Sequence, residues 1–149
     1  MKMVSACLAG IPCRYDGQHK ENKVLKGMVQ SGVATALCPE MLGGLATPRN
    51  PAEIVGGDGM DVWSGVAKVI DCSGEDVTES YQEGARKTLE ELVALGITEV
   101  ILKEKSPSCG ACQIYDGSFS GKLKVGVGVT AAYLQMNGIL VVSDEAFSH

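Results

Sequence analysis

The chain has 149 residues, the usual size of one domain, and 45% of them are hydrophobic, enough for a core. Eighteen acidic and 13 basic side chains give a formal net charge of −5. Because binding to a nucleic-acid backbone depends on cationic contacts to phosphate, this charge argues against a dedicated DNA or RNA binder, although not against a site for a small uncharged base. The chain has no apolar run of the roughly 18 residues that a membrane span needs, and its start turns polar too early for a signal peptide. We therefore expect residues 1–149 to form one cytoplasmic domain without a membrane partner.

Apolar runs predict four short buried strands, at residues 3–8, 33–37, 99–103 and 139–143. Helical patterns lie between them, at Lys23–Gln30, from Thr78 to Gly96, and at Val129–Met136. Residues 40–59 are rich in proline and glycine, which predicts a loop, and residues 61–71 indicate a small edge hairpin around a Ser64-Gly65 turn. Strands that alternate with helices predict an α/β fold of three layers, with a mostly parallel, Rossmann-like sheet.

Cysteines supply most of the candidate chemistry in this sequence. They are Cys7, Cys13, Cys38, Cys72, Cys109 and Cys112. Cys7 and Cys38 come at the ends of the first two predicted strands, and Cys109 follows the third. Ligands of parallel sheets bind beyond the carboxyl ends of the strands, so we expect these three thiols to meet at one sheet edge. The alternative is that each is a small buried apolar residue.

Thiolates are soft ligands that favour iron–sulfur clusters, zinc or copper(I). The local four-ligand spacing of a structural zinc site or a ferredoxin-type cluster is missing, so three scattered thiolates would leave one metal position open to a substrate. Two histidines, His19 and His149, are too few for a His-rich metal site. Cys13 is interpreted as a buried residue or a spare ligand, and Cys72 as structural.

The spacing of Cys109 and Cys112 also forms a C-x-x-C motif, which is typical of thiol–disulfide exchange. That chemistry needs a helix that starts at the motif, whereas residues 113–118 have the pattern of a strand and a turn. The sequence therefore favours another role for these thiols.

Polar residues flank two of the three candidate ligands. Glu40 lies two residues after Cys38, where it can serve as a general base or only cap backbone amides. Ser106 and Ser108 precede Cys109 and can act on a reaction intermediate or only form a turn. Nearby lysines, Lys103 and Lys105, can lower thiol pKa values, hold an oxyanion or remain solvated.

Several segments together resemble the thiouracil desulfidase-like family, a small bacterial family formerly described as a domain of unknown function. They are Ser5-Ala6-Cys7-Leu8, Arg14-Tyr15-Asp16-Gly17, Cys38-Pro39-Glu40, Gly43-Gly44-Leu45, Pro48-Arg49, Lys105-Ser106-Pro107-Ser108-Cys109-Gly110, Ile114-Tyr115-Asp116-Gly117 and Gly128-Val129-Thr130-Ala131-Ala132. The resemblance covers nearly the whole chain, and its Cys-Pro-Glu and Ser-Pro-Ser-Cys-Gly segments are specific.

The resemblance implies a [4Fe-4S] cluster held by Cys7, Cys38 and Cys109, with its fourth iron free to bind substrate sulfur. It also implies that Glu40 and Ser106 handle protons or position the substrate, with Ser108 as the alternative serine. The expected reaction is a non-redox desulfuration of a thiolated pyrimidine to its oxo form, with release of hydrosulfide. The partner is then a small thiolated nucleobase or a related thioamide, and no nicotinamide or flavin is expected.

Two other functions fit the same cysteines. The protein can be a non-catalytic iron–sulfur or sulfur-carrier protein that delivers its cargo to a partner, or it can be a zinc-binding protein. Repeated turnover of thiouracil by the purified protein distinguishes an enzyme from a carrier, and iron and acid-labile sulfide distinguish a cluster from zinc.

Overall fold

A computed structural model describes residues 1–18 and 20–146 of the chain, so both histidines lie outside the described residues. The strands are Lys2–Ser5 (β1), Ala34–Leu37 (β2), Ala52–Val55 (β3), Lys68–Asp71 (β4), Glu99–Leu102 (β5), Gln113–Tyr115 (β6), Leu123–Val125 (β7) and Leu140–Ser143 (β8). The α-helices are Lys23–Gln30 (α1), Pro39–Leu42 (α2), Gly59–Trp63 (α3), Thr78–Leu95 (α4) and Val129–Met136 (α5).

Four parallel strands form the central sheet, in the order β2-β1-β5-β8. Alternate residues of β1 point to its two faces: Met3 packs with Leu92 of α4 and Leu134 of α5, whereas Val4 packs with Leu25 of α1. Helices therefore cover both faces, which confirms the predicted three-layer α/β fold. None of the helices within residues 1–18 and 20–146 is long and apolar enough to cross a membrane.

A small antiparallel hairpin is present, as predicted, but its placement within residues 61–71 around a Ser64-Gly65 turn was wrong, because that segment begins in a helix and supplies only one of the two strands. Its strands are β3 and β4, which pair with each other in a separate sheet. The proline- and glycine-rich stretch at 40–59 is therefore not all loop, since it contains most of α2 and the whole of β3. Residues Gly59–Trp63 are helical because Asp58 and Asp61 form a capping box at the start of α3. A second hairpin pairs β6 with β7.

The first strand ends earlier than the predicted range of 3–8. Ser5 makes the last pair of β1, opposite Leu37. Because β2 ends at Leu37, β1 has no partner residues on that side beyond Ser5. The chain then turns into a 3₁₀-helix over Ala6–Ala9, which ends at Gly10 in the left-handed conformation. Cys7 thus lies on a helical turn just beyond the sheet.

The strand order places a topological switch at the first strand. From β1 the chain passes to β2 on one side, and the next strand of the sheet, β5, lies on the other side of β1. In open parallel sheets the crevice at such a switch is where ligands bind, beyond the carboxyl ends of the strands. The candidate site is therefore expected next to Ser5, Leu37 and Leu102, the last residues of these three strands.

Candidate functional site

A cavity of about 1100 Å³ opens at this edge of the sheet. All five site residues predicted from the sequence line it: Cys7, Glu40, Cys38, Ser106 and Cys109. Cys7 lies on the 3₁₀ turn after β1, Cys38 is the residue immediately before α2, and Cys109 lies in the loop between β5 and β6. The predicted convergence of three distant cysteines is therefore present in the structure.

A fourth cysteine, Cys13, belongs to the same group of thiols. Its side chain lies within hydrogen-bonding reach of the thiols of Cys7 and Cys38, and the Cys38 Sγ is 3.9 Å from its carbonyl oxygen. Cys13 is buried, as the sequence indicated, but it also lines the cavity. The structure therefore brings together four thiols where the sequence singled out three.

Burial and contacts with neighbouring groups raise the pKa values of Cys13, Cys38 and Cys109. For Cys13 the contact with Cys38 favours the thiolate, but the Cys7 contact and burial outweigh it and raise the pKa to about 11. Burial, with the charge of Glu40 as the next cause, raises the pKa of Cys109 to about 12. Since soft metals bind the thiolate, metal loading must release protons from these groups.

The remaining cysteines are more exposed than the four in this group. Cys72, interpreted from the sequence as structural, is exposed and lines the same cavity. Cys112 is exposed, and β6 begins at the next residue. No helix starts at the C-x-x-C motif, as predicted, which argues against a thioredoxin-like role.

One carboxylate oxygen of Glu40 is occupied by three donors. Arg49 donates to Oε2 from Nη2 at 2.8 Å and from Nε at 3.3 Å, and the hydroxyl of Tyr81 donates to it at 3.0 Å. The other oxygen, Oε1, has a long contact of 3.5 Å with the Ser106 hydroxyl. Oε2 of Glu40 is thus held by hydrogen bonds from Arg49 and Tyr81, whereas Oε1 faces Ser106.

The Ser106 hydroxyl has a defined orientation. Its oxygen accepts hydrogen bonds from the backbone N–H groups of Ser108 at 3.1 Å and Cys109 at 3.0 Å. With both acceptor positions in use, the hydroxyl proton is left to point toward Glu40. Ser106 therefore connects the backbone at Cys109 to the carboxylate.

The second serine faces a different part of the protein. The Ser108 side chain is buried, and its Oγ lies 2.7 Å from the Thr130 Oγ1 of α5. Its closest link to the site is a weak contact from the Cys109 thiol at 3.8 Å. Of the two serines proposed from the sequence, Ser106 is the one that contacts Glu40.

Two glycines allow α2 to lie directly on α4. A methyl group on Gly84 would overlap the carbonyl oxygen of Pro39, and one on Gly43 would overlap that of Ser80. This close packing brings Glu40 of α2 within reach of the Tyr81 hydroxyl of α4. The helix contact thereby sets the position of the carboxylate over the cavity.

The loop that carries Cys109 is held by a buried carboxylate, Glu104. One oxygen, Oε1, accepts hydrogen bonds from the backbone N–H groups of Ala111 and Cys112 at 2.8 Å and of Gln113 at 2.9 Å. Burial disfavours its charge, but the amide hydrogen bonds outweigh burial and lower the pKa of Glu104. Glu104 therefore stays ionised near neutral pH and anchors the turn after Cys109.

Sequence reasoning missed three residues of this arrangement. Arg49 enters the sequence analysis only through the Pro48-Arg49 match, and neither Tyr81 nor Glu104 has a sequence signal of its own. The one available signal was a charged residue inside a specific family segment, as at Arg49.

Lys103 and Lys105 do line the cavity, and the Lys103 Nζ is 4.0 Å from Asp144 Oδ2.

Comparisons with known proteins support the resemblance. A curated protein of Bacillus subtilis (strain 168), described as the uncharacterised protein YbbK, is 53% identical over 144 residues, which cover 97% of this chain and 95% of that protein. A solved structure of the [4Fe-4S]-dependent thiouracil desulfidase TudS is 44% identical and matches with a TM-score of 0.85, covering 97% of this chain and 91% of the other. The model of the 2-thiouracil desulfurase family matches residues 3–146. The chain belongs to the 2-thiouracil desulfurase family, as its sequence motifs predicted.

Proposed function

We propose that this protein is an enzyme that replaces the sulfur of a thiolated pyrimidine such as 2-thiouracil by oxygen and releases hydrosulfide. The observation that carries the proposal is the meeting of Cys7, Cys38 and Cys109 with Glu40 in one cavity. Family membership and the 44% identity to a [4Fe-4S]-dependent thiouracil desulfidase support it.

The donors in the cavity suit an iron–sulfur cluster. Thiolates are the soft ligands that such clusters require, although zinc accepts them too. The 44% identity to a [4Fe-4S]-dependent thiouracil desulfidase favours a [4Fe-4S] cluster over zinc. The family resemblance supports Cys7, Cys38 and Cys109 as its ligands, and all three line the cavity.

Cys13 is assigned a different place in this proposal. The family resemblance supports Cys7 as the ligand from the N-terminal segment, which leaves Cys13 as a protonated neighbour of Cys7 and Cys38. Three ligands from the protein would then leave one iron accessible from the cavity.

A bound [4Fe-4S] cluster with one iron free of protein ligands supplies a Lewis acid for the thiocarbonyl sulfur. In the proposed reaction Glu40 Oε1 accepts a proton from water, and the water oxygen attacks the carbon that bears sulfur. Ser106 orients Oε1 through its hydroxyl proton. Water supplies the new oxygen, the carbon–sulfur bond breaks, and sulfur leaves as hydrosulfide with its electron pair. No net electron transfer is needed, so the balance is that of a hydrolysis.

The test is multiple turnover by the reconstituted protein alone. After anaerobic reconstitution, we expect 2-thiouracil to yield uracil and sulfide in equal amounts, well beyond the four sulfides that one cluster contains. Protein without iron is the control and should release no sulfide. Retention of 2-thiouracil intact by the iron-loaded protein, or sulfide release that stops at the cluster's own content, would favour a carrier instead.

A further inference from the structure

We infer that Arg49 is a positioning residue that selects which oxygen of Glu40 faces the substrate. This inference rests on the proposed function, since it assigns a role within that reaction. It starts from an asymmetry in the structure: Glu40 Oε2 accepts three hydrogen bonds, whereas Oε1 has only the long contact with Ser106.

The guanidinium of Arg49 has no nitrogen to spare. Nε and Nη2 bind Glu40, while Nη1 donates to the carbonyl oxygens of Cys13 at 3.2 Å and Ala46 at 3.1 Å and to the Thr47 hydroxyl at 3.2 Å. The Arg49 side chain is only 8% exposed and that of Glu40 is 15% exposed. A planar donor group held on several sides cannot swing, so it fixes the carboxylate in both position and rotation.

The same guanidinium also connects the carboxylate of Glu40 to the cluster of four cysteines. The Cys13 carbonyl that Arg49 binds lies 3.9 Å from the Cys38 Sγ. Glu40 itself is two residues from Cys38 on the first turn of α2. Arg49 therefore links the Glu40 carboxylate to the backbone of Cys13. This link helps to set the distance between the carboxylate and the cysteine sulfurs.

Tyr81 supports the same arrangement from a separate element. Its hydroxyl donates to Oε2 from α4, and burial raises its pKa well above the usual value, so it stays a donor. Tyr81 is a neutral donor and makes one hydrogen bond to Glu40, whereas Arg49 is charged and makes two, so removal of Tyr81 should disturb Glu40 less than removal of Arg49. The two residues together leave Oε1 as the oxygen that can take a proton.

The experiment compares Arg49→Gln, Arg49→Lys and Tyr81→Phe after anaerobic reconstitution, with Arg86→Gln as the matched control. Arg86 is an exposed arginine on α4 that pairs with Glu83, outside the cavity. For Arg49→Gln we expect kcat to fall about 10- to 100-fold, because small misplacements of a catalytic group cost this much, with KM and iron content close to the parent values. Arg49→Lys should recover part of the rate, and Tyr81→Phe should lose only a few-fold.

A double-mutant cycle separates positioning from general damage. If Arg49 acts through Glu40, Arg49→Gln should have no further effect on the residual rate in a Glu40→Gln background. Additive losses in the double variant would overturn the inference, as would an unchanged kcat in Arg49→Gln. If Arg49→Gln does not fold, the inference is judged on Tyr81→Phe, and an unchanged kcat there overturns it. Failure of the parent and Arg86→Gln proteins to release sulfide would instead refute the proposed function.

Discussion

The Cys38→Ser protein is expected to lose both its iron–sulfur cluster and its activity. Serine offers a hard, weakly acidic hydroxyl in place of a soft thiolate, so it is a poor ligand for iron in a cluster. Changes outside the ligand set of metal sites typically cost 10- to 100-fold, so loss of a ligand should lower activity by more than about 100-fold. Cys7→Ser and Cys109→Ser should behave in the same way. Iron and acid-labile sulfide per chain, measured with kcat, test this expectation.

Cys13→Ser is the informative control, because Cys13 belongs to the same cluster of four cysteines but is not one of the three proposed ligands. We expect this variant to keep its iron and most of its activity. Cys112→Ser, at an exposed position, should be close to the parent protein and so test the thiol–disulfide alternative. Full loss of iron in Cys13→Ser with retention in Cys7→Ser would show that the ligand from the N-terminal segment is assigned wrongly.

Glu40→Gln should keep the cluster but lose turnover. The amide has nearly the same shape, and its oxygen can still accept from Arg49 and Tyr81, but it cannot take a proton from water. General base catalysis contributes about 10²- to 10⁴-fold, and kcat should fall by that amount with little change in KM. Steady-state sulfide release at fixed iron content is the measurement.

Glu145→Gln is the matched control for this change, since Glu145 also lines the cavity but is exposed. It should retain nearly the parent rate. A Glu40→Gln protein with parent activity and full iron content would remove Glu40 from the reaction. A drop in iron to the level of Cys38→Ser would instead make Glu40 a requirement for the cluster.

The position of the site could be predicted from the sequence because it depends on strand order along the chain. Short apolar runs followed by Cys7 and Cys38 marked strand ends, and strand ends of a parallel sheet share an edge. The helix bounds Lys23–Gln30 and Val129–Met136 were also correct, since both have clear helical patterns and stop signals. Apolar runs, helical patterns and stop signals all lie within a few residues of the strand or helix that they predict.

Contacts between distant segments were not predictable in the same way. Tyr81 reaches Glu40 because Gly43 and Gly84 allow α2 to lie on α4, and no periodicity of the sequence indicates that packing. Arg49 reaches Glu40 from the segment that follows α2, held there by the carbonyl oxygens of Cys13 and Ala46. The strand β3 was missed because Pro51 and the glycines beside it indicate a loop, whereas pairing with β4 overrides that local preference. The arrangement around the carboxylate is thus a tertiary property.

A crystal structure of the anaerobically reconstituted protein tests the central claim most directly. It should contain one [4Fe-4S] cluster bound by the sulfurs of Cys7, Cys38 and Cys109, with the fourth iron free of any protein ligand and facing the Glu40 side of the cavity. A single zinc ion at this edge of the sheet, or a fourth side chain such as Cys13 bound to the remaining iron, would contradict it.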